Sequence, residues 1–262
     1  MSISRRSLLS GLGASTLAAG CVSQSRTRGG LPSRWVDLTH TLSPAFPYIP
    51  VQNKTFPFRL APIANLEHDG VYANRWELTE HVGTHLDAPC HFAEGGLSID
   101  RIPIETLIAP LVVLDIRKRA HSDVDTSLSV ADLALWEARF GRIPEQAALF
   151  MNCGWSARAT DAPSFVNSDA RGTLHYPGFS EQLVEFLLQR RSIVGIGVDT
   201  LSIDPGPFAT YPAHKRLFAA GKWALECVAN LDRVPECGAS VLVAPVKVQG
   251  ASGAPARVLA FW

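Results

Sequence analysis

Short runs of β-branched and aromatic residues recur along the chain, and few stretches between them repeat their apolar positions at helical spacing. Runs at 36–42, 73–80, 111–116, 147–152, 193–199, 222–228, 240–248 and 257–261 have the length and composition of strands. Two intervening segments read as helices. After Ser129, a ready N-cap with Asp132 in the first turn, Leu133, Trp136 and Phe140 fall on one face. After Ser180, the stripe is Leu183, Val184, Leu187 and Leu188, and Arg190 and Arg191 sit at the negative end of the helix dipole. Many strands with few helices do not give the strict alternation of a doubly wound sheet. The pattern predicts a mixed α/β fold, with a mixed sheet or barrel-like core and helices on its outside. Gly195-Ile196-Gly197 lies in a strand-like run without a third glycine or a following helix, so it is not a nucleotide loop.

Composition narrows the partners. The chain has 262 residues, 47% of them hydrophobic, and 24 basic side chains balance 24 acidic ones. That is enough for one large core, and it leaves no charge excess to attract nucleic acid or an anionic membrane. A small-molecule partner is expected. The N-terminus differs: Ser4-Arg5-Arg6-Ser7-Leu8-Leu9 precedes a Gly/Ala/Ser-rich run ending at Ala18-Ala19-Gly20-Cys21. Residues 1–21 read as a twin-arginine-type signal peptide, too short an apolar run for the roughly 20 residues of a membrane span. The expected location is periplasmic or otherwise exported, with Cys21 a candidate lipid anchor. Residues 22–34 form a linker and residues 35–262 a single domain. Cys90, Cys153, Cys227 and Cys237 follow no compact disulfide spacing, so no particular bridge is predicted.

Chemistry concentrates in His81-Val82-Gly83-Thr84-His85-Leu86-Asp87-Ala88-Pro89-Cys90-His91-Phe92. This segment holds three of the chain's eight histidines and an aspartate. In an extended backbone His81, His85, Asp87 and His91 share one face, and Gly83 and Pro89 argue against a helix. A straight strand would nevertheless put His81 and His91 about 33 Å apart. The chain must bend, and Gly83 and the Ala88-Pro89 step are where it can. Two imidazoles and a carboxylate suit a divalent ion, zinc first and manganese or iron as alternatives, with coordination positions left open. Cys90 has the wrong parity and reads as a small buried thiol.

Residues 81–92 resemble the hallmark His-x-Gly-Thr-His-x-Asp-x-Pro-x-His-Phe of the cyclase family of metal-dependent hydrolases, which includes bacterial kynurenine formamidase and isatin hydrolase. The likeness runs from about Asp37 to Asp232, through Tyr176-Pro177-Gly178-Phe179-Ser180 and Gly197-Val198-Asp199-Thr200 with Asp204-Pro205. It implies a swivelling β/β/α cyclase-type fold and a metal centre completed by His214 and Glu226. Twelve residues of continuous helix would separate that pair by about 18 Å. A helix from about 214 to 220 ended by Gly221, then a strand from Lys222, would bring them together. The resemblance further implies one or two ions: His81, His85 and Asp87 on one, His214 on the other, Asp87 and Glu226 touching both, and His91 as the acid/base residue. It also implies a homo-oligomer, dimer or tetramer.

One departure concerns the substrate. Formamidases of the family carry a Trp-Pro pair near the N-terminus, and the corresponding stretch here is Tyr48-Ile49-Pro50. Ile49 offers no indole surface, so N-formylkynurenine does not carry over, and Tyr48, Ile49 and Trp155, with Phe46 nearby, are the candidate pocket residues. The expected activity is hydrolysis of a small linear or cyclic amide, with an ester or lactone as alternative bond. A periplasmic metal- or ligand-binding protein without turnover is the rival, and intact His91 argues against it.

Overall fold

The computed structural model describes residues 32–51 and 54–262. The signal-like segment, Cys21 and most of the linker lie outside the described residues. In chain order the strands are β1 (Trp35–Asp37), β2 (Arg59–Ala64), β3 (Ala73–Glu77), β4 (His85–Asp87), β5 (Ile108–Asp115), β6 (Ser127–Leu128), β7 (Ala147–Asn152), β8 (Gly178–Phe179), β9 (Ile193–Val198), β10 (Trp223–Glu226), β11 (Ala239–Pro245) and β12 (Gly253–Phe261). The α-helices are α1 (Leu66–Asp69), α2 (Arg117–Ser122), α3 (Val130–Phe140), α4 (Ala162–Val166), α5 (Glu181–Arg190) and α6 (Pro212–Ala219).

Seven strands close into a ring in the order β12-β11-β5-β7-β9-β10-β4, with β4 pairing back onto β12, and β1 adds to β12 from outside the ring. Neighbours from β5 through β7 and β9 to β10 are parallel; the other ring pairs are antiparallel. Parallel neighbours need long crossovers, and the helices lie in them: α2 and α3 between β5 and β7, α4 and α5 between β7 and β9, α6 between β9 and β10. The expected mixed α/β architecture, barrel-like with peripheral helices, is the observed one.

Side-chain alternation sorts the ring strands into two buried clusters. Leu86, Val113, Phe150, Trp223, Leu225, Val241, Val243 and Val258 fill the inside of the ring. Val112, Leu114, Leu149, Met151, Ile196, Val198 and Ala224 face outward and pack beneath the helices. Gly195 and Gly197 belong to this packing: a Cβ on Gly195 would meet the Trp223 ring at 2.3 Å, and one on Gly197 would meet Phe150 at 2.7 Å. The caps of the two expected helices form as read. Ser129 Oγ accepts from Asp132 N while Asp132 accepts from Ser129 N, and Ser180 Oγ accepts from Leu183 N.

Two readings shift. The first ring-edge strand stops at Asp37 rather than continuing to residue 42, because Thr39 makes only an isolated bridge to Val228. Strand β2, unrecognised in the sequence, pairs with β3 to form a separate two-stranded hairpin. Its composition, Arg-Leu-Ala-Pro-Ile-Ala, is poor in β-formers and interrupted by a proline, which is tolerated on an edge.

Candidate metal centre

The central segment folds as a short strand bent at both ends. Only His85, Leu86 and Asp87 are in β4; Gly83, at φ +66°, turns the chain before it, and a 3-10 turn over Pro89–His91 turns it after. Leu86 points into the ring, so His85 and Asp87 point out of it, towards α6. His81 curls back until its Nδ1 lies 2.7 Å from Asp87 Oδ1. Across the sheet Glu226 is directly opposite His85, and Ala224 opposite Asp87. Helix α6 ends at Ala219, Gly221 takes φ +70°, and β10 returns the chain, bringing His214 Nε2 to 3.2 Å from Glu226 Oε1. Tyr211, just before α6, and Cys227, just after Glu226, both have φ +52°, so strained backbone flanks this half of the centre.

Two overlapping sets of ligand atoms result. His81, His85 and Asp87 can hold one cation and Asp87, His214 and Glu226 a second, with the atoms of each set within 4.8 Å of one another. The two carboxylates straddle the sets. Asp87 Oδ1 is 3.1 Å from His85 Nε2 while Asp87 Oδ2 is 3.5 Å from His214 Nε2, and Glu226 splits its oxygens the same way, Oε2 at 3.4 Å from His85. Hydrogen bonds on the far side of the rings decide which nitrogen carries a proton. His85 Nδ1 lies 2.9 Å from the Gly83 carbonyl, which can only accept, so Nδ1 donates and Nε2 is the atom left to face an ion. His214 Nδ1 meets the Asp204 carboxylate at 2.5 Å, with the same consequence. His85 Nε2 is buried and has no hydrogen-bond partner. Ring nitrogens and carboxylate oxygens thus converge, and such a buried cluster requires positive charge, from protons or from an ion.

The titration behaviour expresses the same demand. Burial alone would lower the His85 pKa, but the Asp87 and Glu226 charges raise it to about 10. His214 is also raised, against burial, by Asp204, Asp87 and Glu226. Burial opposes ionisation of Asp87, yet His85 and His81 hold it well below the usual carboxylate range. Glu226 is lowered too, against burial and Asp87, by His214 and His85. Protons on the histidines therefore balance the acids when no ion is present.

His91 stands apart from these sets. Its ring stacks on His81 with centroids 3.9 Å apart, and burial pushes its pKa down to about 4. It is an uncharged base at neutral pH. Cys90 is in neither set; its Sγ lies 3.7 Å from the Ala251 carbonyl. Trp155 must be corrected: it is only 1% exposed and its indole N–H donates to the Phe165 carbonyl, so it is core and has no surface to offer a ligand. Its position is fixed by Asp199, which accepts from the Trp155 and Cys153 backbone N–H groups. Tyr48 and Ile49 are half-buried, and Ile49 packs on the outer core cluster. The aromatic rings beside the histidines are instead Phe92, 4.9 Å from His214, the buried Phe218, 5.4 Å from His214, and Tyr211, 5.4 Å from Phe92 and 5.9 Å from His214. Asp204, ten residues before His214, figures in the sequence only as part of the family likeness, with no role of its own; a carboxylate that near His214 in sequence was a further signal.

A barrel carrying this constellation on its outer face defines a class, the hydrolases that act through a divalent ion. The chain belongs to the cyclase family: residues 36–205 match the family described as "Putative cyclase". It is similar to isatin hydrolase of Roseibium aggregatum, with 33% identity over 98% of each chain. It is also similar to kynurenine formamidase of Polaromonas naphthalenivorans, with 27% identity over 72% of this chain and 74% of the relative. Among solved structures, isatin hydrolase A from Labrenzia aggregata bound to benzyl benzoate superposes with a TM-score of 0.82 at 40% identity, covering 87% of this chain and 93% of that one.

Proposed function

We propose that this chain is a metal-dependent amidohydrolase that cleaves the C–N bond of a small aryl amide, a cyclic one before a linear formamide. The observation that carries the reading is the convergence of His85 Nε2, His214 Nε2 and the divided oxygens of Asp87 and Glu226, with the His85 atom left buried and unpartnered. That set fits a divalent ion. His81, His85 and Asp87 would hold one, and His214 with the far oxygens of Asp87 and Glu226 a second. Three imidazoles with carboxylates favour zinc, with manganese next. When bound, such an ion supplies a Lewis acid and lowers the pKa of water towards about 7.

The chain's own residues supply the rest. His91, neutral and beside the ligands, takes a proton from the attacking water and returns it to the departing amide nitrogen. Burial of Asp87, Glu226 and His214 excludes bulk water, which strengthens each charge interaction there. Phe92 and Tyr211 support a planar aryl substrate by offering ring faces next to the histidines. Isatin, a cyclic aryl amide, is the first probe because the relatives of highest identity quoted above are isatin hydrolases. Hydrolysis of isatin in preference to formanilides, lactones and aryl esters is the expected outcome of a substrate panel. Preferential ester or lactone cleavage would overturn the amide reading. A protein that binds metal stoichiometrically yet turns over nothing would be a binding protein, but such a protein has no use for His91 placed as it is.

The arginine pair and the small-residue run up to Cys21 support export by the twin-arginine route, with Cys21 a candidate lipid anchor. A homo-oligomer is supported by the β2–β3 hairpin, whose Leu66, Tyr72 and Trp76 are 70%, 66% and 67% exposed.

A further inference from the structure

His81 is the one proposed ligand on the rim of the centre, its side chain 26% exposed where those of His85 and His214 are 4%. Residues from the far end of the sequence nevertheless hold it at Nε2 and against one ring face. Its Nε2 lies 3.1 Å from Ser252 Oγ. Ser252 in turn donates both its backbone N–H, at 2.9 Å, and its hydroxyl, at 2.5 Å, to Glu80 Oε2. One face of the His81 ring stacks on His91, and the other lies against Gly253, where a Cβ would meet ring carbon Cε1 at 2.5 Å. Ser252 is fixed in turn, because its carbonyl accepts from Ala88 N at 2.8 Å and the next residue, Gly253, pairs with Asp87 in the sheet.

The direction of this chain follows from proton counting. A carboxylate only accepts, so the Ser252 hydroxyl proton goes to Glu80, and the Ser252 oxygen is left to accept from His81 Nε2–H. The Ser252 contact thus fixes a proton on Nε2, and an ion on Nδ1 would take the place of the proton that the Asp87 carboxylate, 2.7 Å away, accepts there in this structure. His85 and His214 get the same service from Gly83 and Asp204, both close to them in sequence. Only His81 depends on residues 171 positions away.

We propose that Ser252 and Glu80 are positioning residues for the metal centre, fixing the orientation of His81 and the proton on its Nε2 and hence the affinity for the ion that His81 helps to hold. The proposal rests on the metal-centre reading above. Zinc affinity, measured by chelator competition, is expected to fall about 10- to 100-fold in Ser252→Ala and to return in Ser252→Thr, which keeps the hydroxyl. Glu80→Ala, which frees the hydroxyl to donate either way, should lower the affinity as well. Nitrogen-15 spectra of the zinc-loaded protein should place the His81 proton on Nε2. The metal-free melting temperature of Ser252→Ala should match that of the parent, which separates positioning from a merely structural role. If the parent binds no zinc, the metal-centre reading fails and this proposal with it. If the parent binds zinc but Ser252→Ala binds it equally well, or loses affinity only in step with a lower metal-free melting temperature, the proposal alone is overturned.

Discussion

His85 and Glu226 face each other as directly opposed residues on antiparallel strands, with Nε2 3.4 Å from Oε2 and no hydrogen bond between them. A buried pair placed so regularly can share positive charge, a proton on His85 when metal-free and a metal ion when loaded. We expect His85→Ala to lose bound metal and hydrolytic activity together, with metal content read by elemental analysis of purified protein. An alanine variant that keeps both would remove His85 from the centre.

His91 lies against the centre without belonging to either ligand set. We expect His91→Ala to keep its metal while kcat falls by about 10²- to 10⁴-fold, the usual contribution of a general acid–base residue. Loss of metal in this variant would make His91 a ligand instead.

Asp204 accepts from His214 Nδ1 and also from the backbone N–H groups of Ala213 and His214, so one carboxylate both starts α6 and aims its histidine. Asp204→Asn keeps an acceptor but removes the charge. Metal affinity should drop about 10- to 100-fold in a competition titration. An unchanged affinity would leave Asp204 a helix cap only.

Protonation gives a signed pH dependence. The folded pKa of His85, about 10, lies above its ordinary 6.5. Its contribution to the stability of the metal-free protein is therefore complete below about pH 6.5 and lost as pH rises towards about 10. Asp87 and Glu226 are depressed, so their contribution is present above the ordinary carboxylate range and lost as pH falls through their lowered values. Melting temperatures of metal-free protein should fall on the alkaline side, and zinc should abolish that fall by replacing the protons. An alkaline fall of equal size with and without zinc would contradict the cluster's charge balance.

Much of the centre was legible in the chain because bends leave a chemical signature. Gly83 and Pro89 marked the two turns, Gly221 marked the return from α6 to β10, and the capped helices after Ser129 and Ser180 announced themselves by residue type. What stayed hidden depends on long-range packing. Ser252 and Gly253 reach His81 only because β12 pairs with β4 to close the ring, and nothing local in the Ser-Gly pair records that. Trp155 misled because aromatic character alone does not separate a pocket wall from core; the buried Asp199 that holds its loop decides it. The β2–β3 hairpin was half missed because a strand that pairs only within a hairpin carries little of the apolar pattern of a buried one.

The most direct measurement is metal content and isatin hydrolysis on the same preparation, before chelation, after chelation and after zinc is restored. One or two divalent ions per chain, activity lost with them and regained on zinc addition, is the expected result. Full activity in protein stripped of metal would contradict the metal centre outright.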